Sequence, residues 1–407
     1  MTSATPGITR RLAGTGAPMS IRKVGVEEEL MLVDPSTRHL TGVAGEAIRA
    51  HEQQDDAHVD QLAQMEPDPE TGPAAETDSS EAAVEPELFL EQLESQTRPV
   101  TALESLAEEL RRSRRALIAS ARSAGAEAVT VGAPVLVDDE ARVTPQARYR
   151  RIREEYGELA RGSLACAMHI HVDVADDTEG VRVLDGIGPW LPVLLAISAN
   201  SPYYHGRDTA HASWRAQIWT RWPAHGTGEP FETPATYAEV SEKLIEWGAA
   251  MDPGMVYFGA RLSRTAPTVE IRVTDVCTDL EDAVLLGSLS RALVTTAAGT
   301  DPVPWRSDLL RAAAWRASRY GIGGRLVDPA TTGLASAREV IGSLVQHVRP
   351  ALEEAGDLEL TEQLVERLLS TGNGAIRQRR RFEHTGSLEA VVDDALERTV
   401  ASCDTRI

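Results

Sequence analysis

One ten-residue run, Ala165 to Val174, constrains the fold more than any other: ACAMHIHVDV. Met168, Ile170, Val172 and Val174 alternate with His169, His171 and Asp173. A period of two predicts a half-buried β-strand. Both imidazoles then project from one face, about 7 Å apart along the strand. Two other stretches repeat the design. VGVEEELMLV, 24 to 33, puts Glu27 and Glu29 on one face and Glu28 on the other, while VEIRV, 269 to 273, buries three aliphatics and presents Glu270 with Arg272. Three strands of matching parity, each with two ionisable groups on one face, predict the floor of a single polar site. Glu28 has the opposite parity and is expected to be structural or solvated.

Around that floor the chain reads as follows. Residues 1–20 are rich in Gly, Pro, Ser and Thr and are expected to be a flexible leader, with 21–407 a single catalytic domain. Between Ala50 and Thr97 there are fourteen acidic residues and no lysine or arginine. The 50–87 part is therefore expected to be an acidic flexible insertion or lid. Leu88 to Thr97 has strand length and places Gln92, Glu94 and Gln96 on one face. Thr101 to Glu104 has the pattern of a capping box, and Leu103, Leu106, Leu110 and Leu117 follow at helical spacing. A strand is expected over 128–137 and helices over 145–160, 193–198 and 239–250. Beyond Leu280 the pattern is helical, interrupted at 319–329 and 370–381. Strands crowd the first two-thirds and helices the last third, which predicts α+β with an antiparallel or mixed sheet.

Charge and cysteine usage exclude some classes. A net charge of −21 lacks the basic stripe of a nucleic-acid binder and repels anionic membranes. The longest uncharged apolar stretch, Gly186 to Ala199, contains two prolines and is too short to span a bilayer. Cys166, Cys277 and Cys403 are widely spaced, which suits a reducing, cytoplasmic setting and offers no zinc set. The only lysines are Lys23 and Lys243, so any phosphate recognition falls to arginine or histidine.

Glu27, Glu29, Glu94, His169 and Glu270 give four carboxylates and an imidazole for one sheet face. So many acids together raise one another's pKa or destabilise the fold unless cations join them. The oxygen majority favours Mg²⁺, with Mn²⁺ as an alternative, over zinc. His171, Arg272 and the pair Arg215 and Arg221, from the Trp-rich loop at 211–231, are then placed to meet a polyanion. Metals on phosphates with arginines around the transferring group is the arrangement of phosphoryl transfer.

GVEEEL at 25–30, FLEQLESQT at 89–97, HIHVDV at 169–174, SWRAQIWTRWP at 213–223, EIRVTDV at 270–276, RYGIGGRLVDP at 319–329 and GNGAIRQRR at 372–380 carry a resemblance. In this order they resemble the carboxylate–amine ligase family, glutamate–cysteine ligase type 2, within the glutamine synthetase-like superfamily. The resemblance implies a curved, mainly antiparallel sheet with flanking helices, holding ATP and Mg²⁺. It implies activation of a glutamate side-chain carboxylate as an acyl phosphate, attack by an amine such as cysteine, and release of ADP and phosphate. It implies Glu27, Glu29, Glu94, His169 and Glu270 as metal ligands. His171 and Arg272 become contacts of the transferred phosphate, and Arg215 and Arg221 loop arginines near phosphate or substrate carboxylate. It further implies a homo-oligomer, a dimer. The acidic 50–87 stretch departs from the pattern, which leaves Glu87 and Glu91 as alternatives to Glu94.

Three other readings fit parts of the sequence. A γ-glutamyl ligase for a different amine in a specialised pathway would look the same. A cupin-like metal oxygenase could use the HxH strand to hold iron, within an all-β barrel. A non-catalytic binding protein could keep the fold without turnover.

Overall fold

The alternating strands form one sheet. The computed structural model describes residues 21–63, 82–138, 140–226, 229–303 and 305–407, with the main chain alone over 54–63. Its seven-stranded sheet is antiparallel at every pairing, in the order β2 (Glu85–Pro86), β3 (Gln92–Gln96), β1 (Val24–Val33), β5 (Ala167–Asp173), β9 (Thr268–Asp275), β8 (Ala260–Leu262). β4 (Glu127–Val129) extends the far end of β1. Two hairpins, β6 (Tyr203–Tyr204) with β7 (Arg207–Asp208) and β10 (Arg325–Val327) with β11 (Leu334–Ser336), lie outside it. Register sets Glu27 opposite His169 and Gln96, Glu29 opposite Glu94, and His171 opposite Glu270. Directly opposed residues share a face, so all of these line the same side of the sheet.

The other side is the core. Val24, Val26, Met168, Ile170, Val172, Val269 and Ile271 pack into one apolar cluster with the stripe Leu103, Leu106 and Leu110. Leu117, last of that stripe, is also fully buried. The helices are α1 (Ala44–Ala63), α2 (Leu103–Ser123), α3 (Ala147–Tyr156), α4 (Glu158–Arg161), α5 (Asp177–Ile187), α6 (Leu191–Ser198) and α7 (Trp214–Trp219). α8 (Pro234–Glu246), α9 (Leu280–Ala298), α10 (Ser307–Tyr320), α11 (Ala337–Ala355), α12 (Leu358–Thr371), α13 (Gly374–Thr385) and α14 (Leu388–Ser402) complete them. α9 is buried nearly all round, the mark of a helix with neighbours on every side. The stretch Asp177–Ser198 is longer than the apolar run read from sequence. By length and composition it could cross a membrane, yet 78% of its apolar window is buried as core.

Several boundaries differ from expectation. The strand expected over 88–97 joins the sheet at Gln92–Gln96, after a turn, with Phe89 making a separate bridge to Val143, and the 128–137 strand stops at Val129. There Gly132 passes against Asp275, whose carboxylate lies 3.0 Å from where a Cβ would sit. The 145–160 helix breaks at Gly157, whose φ of 52° is left-handed. The helix expected at 239–250 begins earlier, at Pro234, because Thr233 caps it, and ends at Glu246. No capping box forms at Thr101, because the helix starts one residue later, with Ala102 at the cap. The 50–87 stretch is not irregular throughout: α1 runs on to residue 63, and Glu85–Pro86 joins the sheet. Residues 64–81 of it, and the leader 1–20, lie outside the described residues.

Two of the sequence motifs are struts. In GNGAIRQRR, Asn373 donates to the Ala196 carbonyl and Gln378 to the Asn200 side chain and carbonyl. Asn200 in turn bonds the Thr130 and Val276 carbonyls and gives its own N–H to Asp275. A Cβ on Gly374 would sit 1.9 Å from the Asn200 Oδ1. Gly374→Ala is therefore expected to cost about 1–3 kcal/mol or more, read as a lowered midpoint in thermal melting. In RYGIGGRLVDP the Ser318 carbonyl, just before it, takes the N–H groups of Ala212 and Ser213, and Gly321 packs tightly on Ala212. That contact fixes the loop leading into α7.

Candidate active site

Glu27 is the hub. Its carboxylate accepts from His169 Nδ1 at 3.2 Å and lies 3.1 Å from His171 Nε2. Two ligand groups share it. Glu27, Glu94 and His169 offer atoms all within 4.8 Å of one another, and so do Glu27, His171 and Glu270. Among the described residues His169 Nε2 is buried without a hydrogen-bond partner, and His171 Nε2 has only the Glu27 carboxylate beside it. Buried imidazole nitrogens are normally bonded, and a free lone pair beside carboxylates is the form that takes a metal. His171 is held through its other nitrogen, 3.0 Å from the Thr268 hydroxyl. This donor set of oxygens with one imidazole per group fits Mg²⁺ or Mn²⁺.

The electrostatics point the same way. Burial, then the charges of Glu87, Glu27 and Glu29, hold Glu94 well above the usual carboxylate range. Burial and Glu87 push Glu29 up to about 8, and burial raises Glu87 as well. Burial also works to raise Glu27, but hydrogen bonds from His169 and His171 outweigh it and keep it ionised. His169 is held neutral, down to about 4, by burial and the nearby Arg272. An acid cluster that cannot all ionise without cations, beside the neutral His169 imidazole, has the charge deficit a divalent ion fills.

Arginines close one end. Glu270, although buried, is pulled down to about 2 by Arg272 and Arg261. Arg261 grips it through two hydrogen bonds of 2.6 and 3.1 Å, and Arg272 adds another. Arg272 lies over the Tyr257 ring. β5 and β9 slip register here, so that His169 faces both Arg272 and Val273. Such a bulge re-aims side chains and leaves main-chain groups without ladder partners. Arg215, 2% exposed, supplies partners: it donates to the Arg272 carbonyl at 3.1 Å and the Val273 carbonyl at 3.5 Å. Beyond Arg272 and Arg215 opens a cavity of about 750 Å³, walled on its far side by α10.

The model of the family described as glutamate–cysteine ligase family 2 matches residues 23–394. The chain belongs to glutamate–cysteine ligase family 2. Within the family, a Nocardioides protein provisionally named glutamate–cysteine ligase 2-1 is 46% identical over 388 residues, covering 94% of this chain and 97% of its own. A Streptomyces coelicolor protein provisionally named glutamate–cysteine ligase 2 is 40% identical over 393 residues, covering 94% and 100%. Among solved structures, the glutamate–cysteine ligase of Francisella tularensis in complex with AMP aligns with a TM-score of 0.62 at 10% identity, over 94% of this chain and 89% of that one. A bifunctional glutathione synthetase from Pasteurella multocida aligns with a TM-score of 0.63 at 14% identity, over 94% of this chain and 52% of that one. These two show a shared fold, an antiparallel sheet flanked by helices, and exclude the all-β barrel of a cupin. Family membership makes the chain an ATP-dependent ligase of the glutamate–cysteine type.

Of the residues expected at the site, the fold gathers Glu27, Glu94, His169, His171, Glu270 and Arg272. Glu29 lines the same face but is in neither ligand group; it accepts from the Ala167 N–H at 2.8 Å. Arg215 reaches the site from beneath, through main chain. Arg221 is not brought to it: its guanidinium bonds the Gly162 and Ile218 carbonyls. Glu91 turns away to Arg142, whereas Glu87 stands beside Glu94. Arg261, Thr268 and Tyr257 were not expected. Arg261 sits on a three-residue strand, too short for alternation to show.

The raised carboxylates give a pH dependence of unusual sign. In the fold Glu29 keeps its proton up to about 8, while an unfolded glutamate loses it near 4.3. Between those values the folded state binds more protons, so stability falls as pH rises, by at most about 1.4 kcal/mol per unit from this group. Melting in EDTA is expected to be highest near pH 5 and to decline toward pH 8. Excess Mg²⁺ at pH 8 is expected to restore it.

Proposed function

We propose that this protein uses ATP to activate the side-chain carboxylate of glutamate as an acyl phosphate and joins it to an amine, forming a γ-glutamyl amide and releasing ADP and phosphate. The observation that carries the reading is the pair of three-residue ligand groups sharing Glu27, on a floor that ends at Arg272. Family membership and the names of the relatives support the glutamate–cysteine type of reaction. Mg²⁺ held by Glu27 with Glu94 and His169, and by Glu27 with His171 and Glu270, would neutralise the two anions that must meet, the terminal phosphate and the carboxylate.

The chain's own residues do the rest. Glu270, itself gripped by Arg261, fixes the Arg272 guanidinium where charge develops on the phosphoryl oxygens. Thr268 holds the His171 ring so that its Nε2 faces the floor. Arg215 fixes the main chain that carries Arg272. Helices behind the sheet make the floor rigid, which is what positioning of two reactants requires. Three free, buried cysteines suit a cytoplasmic setting.

The test is phosphate release with Mg²⁺, ATP and glutamate against a panel of amines, beside hydroxylamine trapping of the activated acyl group. Amine-dependent release together with glutamyl hydroxamate is expected. No release and no hydroxamate under any amine would reject the ligase reading.

A further inference from the structure

The cavity beyond Arg272 is larger and more apolar than cysteine needs. At about 750 Å³ it lies in the upper part of the range that holds drug-sized ligands, about 300 to 1,000 Å³. Leu191, Leu195, Phe258 and Trp219 line its sides, and Trp315 of α10 stands at the rim, 47% exposed although it is among the largest apolar side chains.

Its polar groups decide what could occupy it, because most are already engaged within the protein. Gln217 donates to the Ser318 hydroxyl at 2.7 Å, Thr220 to the Gln217 carbonyl at 2.8 Å, and Ser307 to Glu229 at 3.1 Å. Asp308 is paired with Arg306, Arg215 with main chain and Arg272 with Glu270. Besides Arg215 Nε and Arg272 Nε, which are buried without a partner at the end toward the sheet, two side chains farther out stand open. Arg311, on the α10 wall, makes no hydrogen bond or ion pair among the described residues, and so offers a full guanidinium fork. His225 lines the cavity beside the Tyr257 carbonyl, and its buried Nδ1 has no hydrogen-bond partner among the described residues. Burial, with Arg215 beside it, keeps that imidazole neutral, down to about 4. An occupant that satisfies these walls carries one anion, one N–H donor and an apolar body. A ribose or a purine edge would meet few uncommitted partners there.

Resting on the ligase reading above, we propose that this cavity is the acceptor pocket and that it takes an amino acid with an aromatic or branched apolar side chain in preference to cysteine. The acceptor's carboxylate pairs with Arg311, its amine faces His225 Nδ1 on the way to the acyl carbon near Arg272, and its side chain lies against Trp315 and the leucines. Attack forms the carbon–nitrogen bond, the carbon–oxygen bond to phosphate breaks, and the amine's surplus proton leaves with water.

The test measures kcat/KM of the full-length protein, with Mg²⁺, ATP and glutamate, for glycine, cysteine, leucine, phenylalanine, tryptophan and phenethylamine. The bulky amino acids are expected to exceed cysteine by about tenfold or more, the scale of discrimination an apolar pocket gives. Phenethylamine, which lacks the carboxylate, is expected to fall about tenfold below phenylalanine, and Arg311→Ala to close that gap. Arg311 is exposed and has no partner among the described residues, so this variant is expected to fold. Cysteine ranking first, a gap that survives Arg311→Ala, or an Arg311→Ala effect on the KM of ATP instead of the amine each overturns the proposal. Hydroxylamine separates the two failures. Hydroxamate formed while cysteine ranks first rejects the acceptor assignment alone, and absence of hydroxamate rejects the ligase reading and this one with it.

Discussion

Glu27→Gln is expected to lower turnover by at least about a hundred- to a thousandfold while the protein stays folded. The carboxamide keeps the side chain's volume but loses the charge that both ligand groups share. It also gives up the ionic acceptor that holds His169 and His171 in place. A titration with Mn²⁺ distinguishes this hub from its neighbours. Glu94→Gln touches one group only and is expected to weaken one of two ions, whereas Glu27→Gln is expected to weaken both. Equal effects of the two substitutions on metal stoichiometry would contradict a shared ligand.

Glu28→Ala, one residue along the same strand, is expected to do the reverse and cost about 3–5 kcal/mol of stability. Glu28 and Arg114 are both fully buried on the helix side of β1 and pair through bonds of 2.9 and 2.6 Å. Arg114 also donates to the Cys277 and Thr278 carbonyls and to the Ser402 hydroxyl. Removing Glu28 strands a cation in the core. Replacing both partners, Glu28→Leu with Arg114→Met, removes the charge together with its counterion and is expected to recover much of the loss. Urea unfolding of the three proteins measures this, and a double variant no better than the single one would refute it. KM values of the folded fraction are expected to stay at the wild-type level.

Those two glutamates show what was legible in the sequence. Parity alone separates Glu27 from Glu28, because a strand has two faces and one was already claimed by Val24, Val26 and Leu30. The same rule found His169, His171, Glu270 and Arg272. It failed wherever function comes from short or irregular chain. Arg221 shares a Trp-rich loop with Arg215, but α7 ends between them and sends one under the sheet and the other to the Gly162 carbonyl. Glu87 and Glu91 stand level as alternatives to Glu94 in the sequence, and the pairing of Glu85 with Glu94 is what sets Glu87 beside it. The slip that faces His169 with two residues is equally silent in sequence, since both strands alternate cleanly when read alone.

The acceptors of Arg114 have a consequence for how the protein comes into being. One of them, Ser402, lies in the last turn of α14, and Gln378 of α13 braces Asn200 behind β9. A nascent chain can form helices and hairpins as it emerges, yet the buried cation in its middle lacks a full set of partners until α14 has emerged and packed. The support behind the active sheet is thus finished only when α14 joins it, and products truncated before Ser402 would be clients of proteolysis before they could be enzymes.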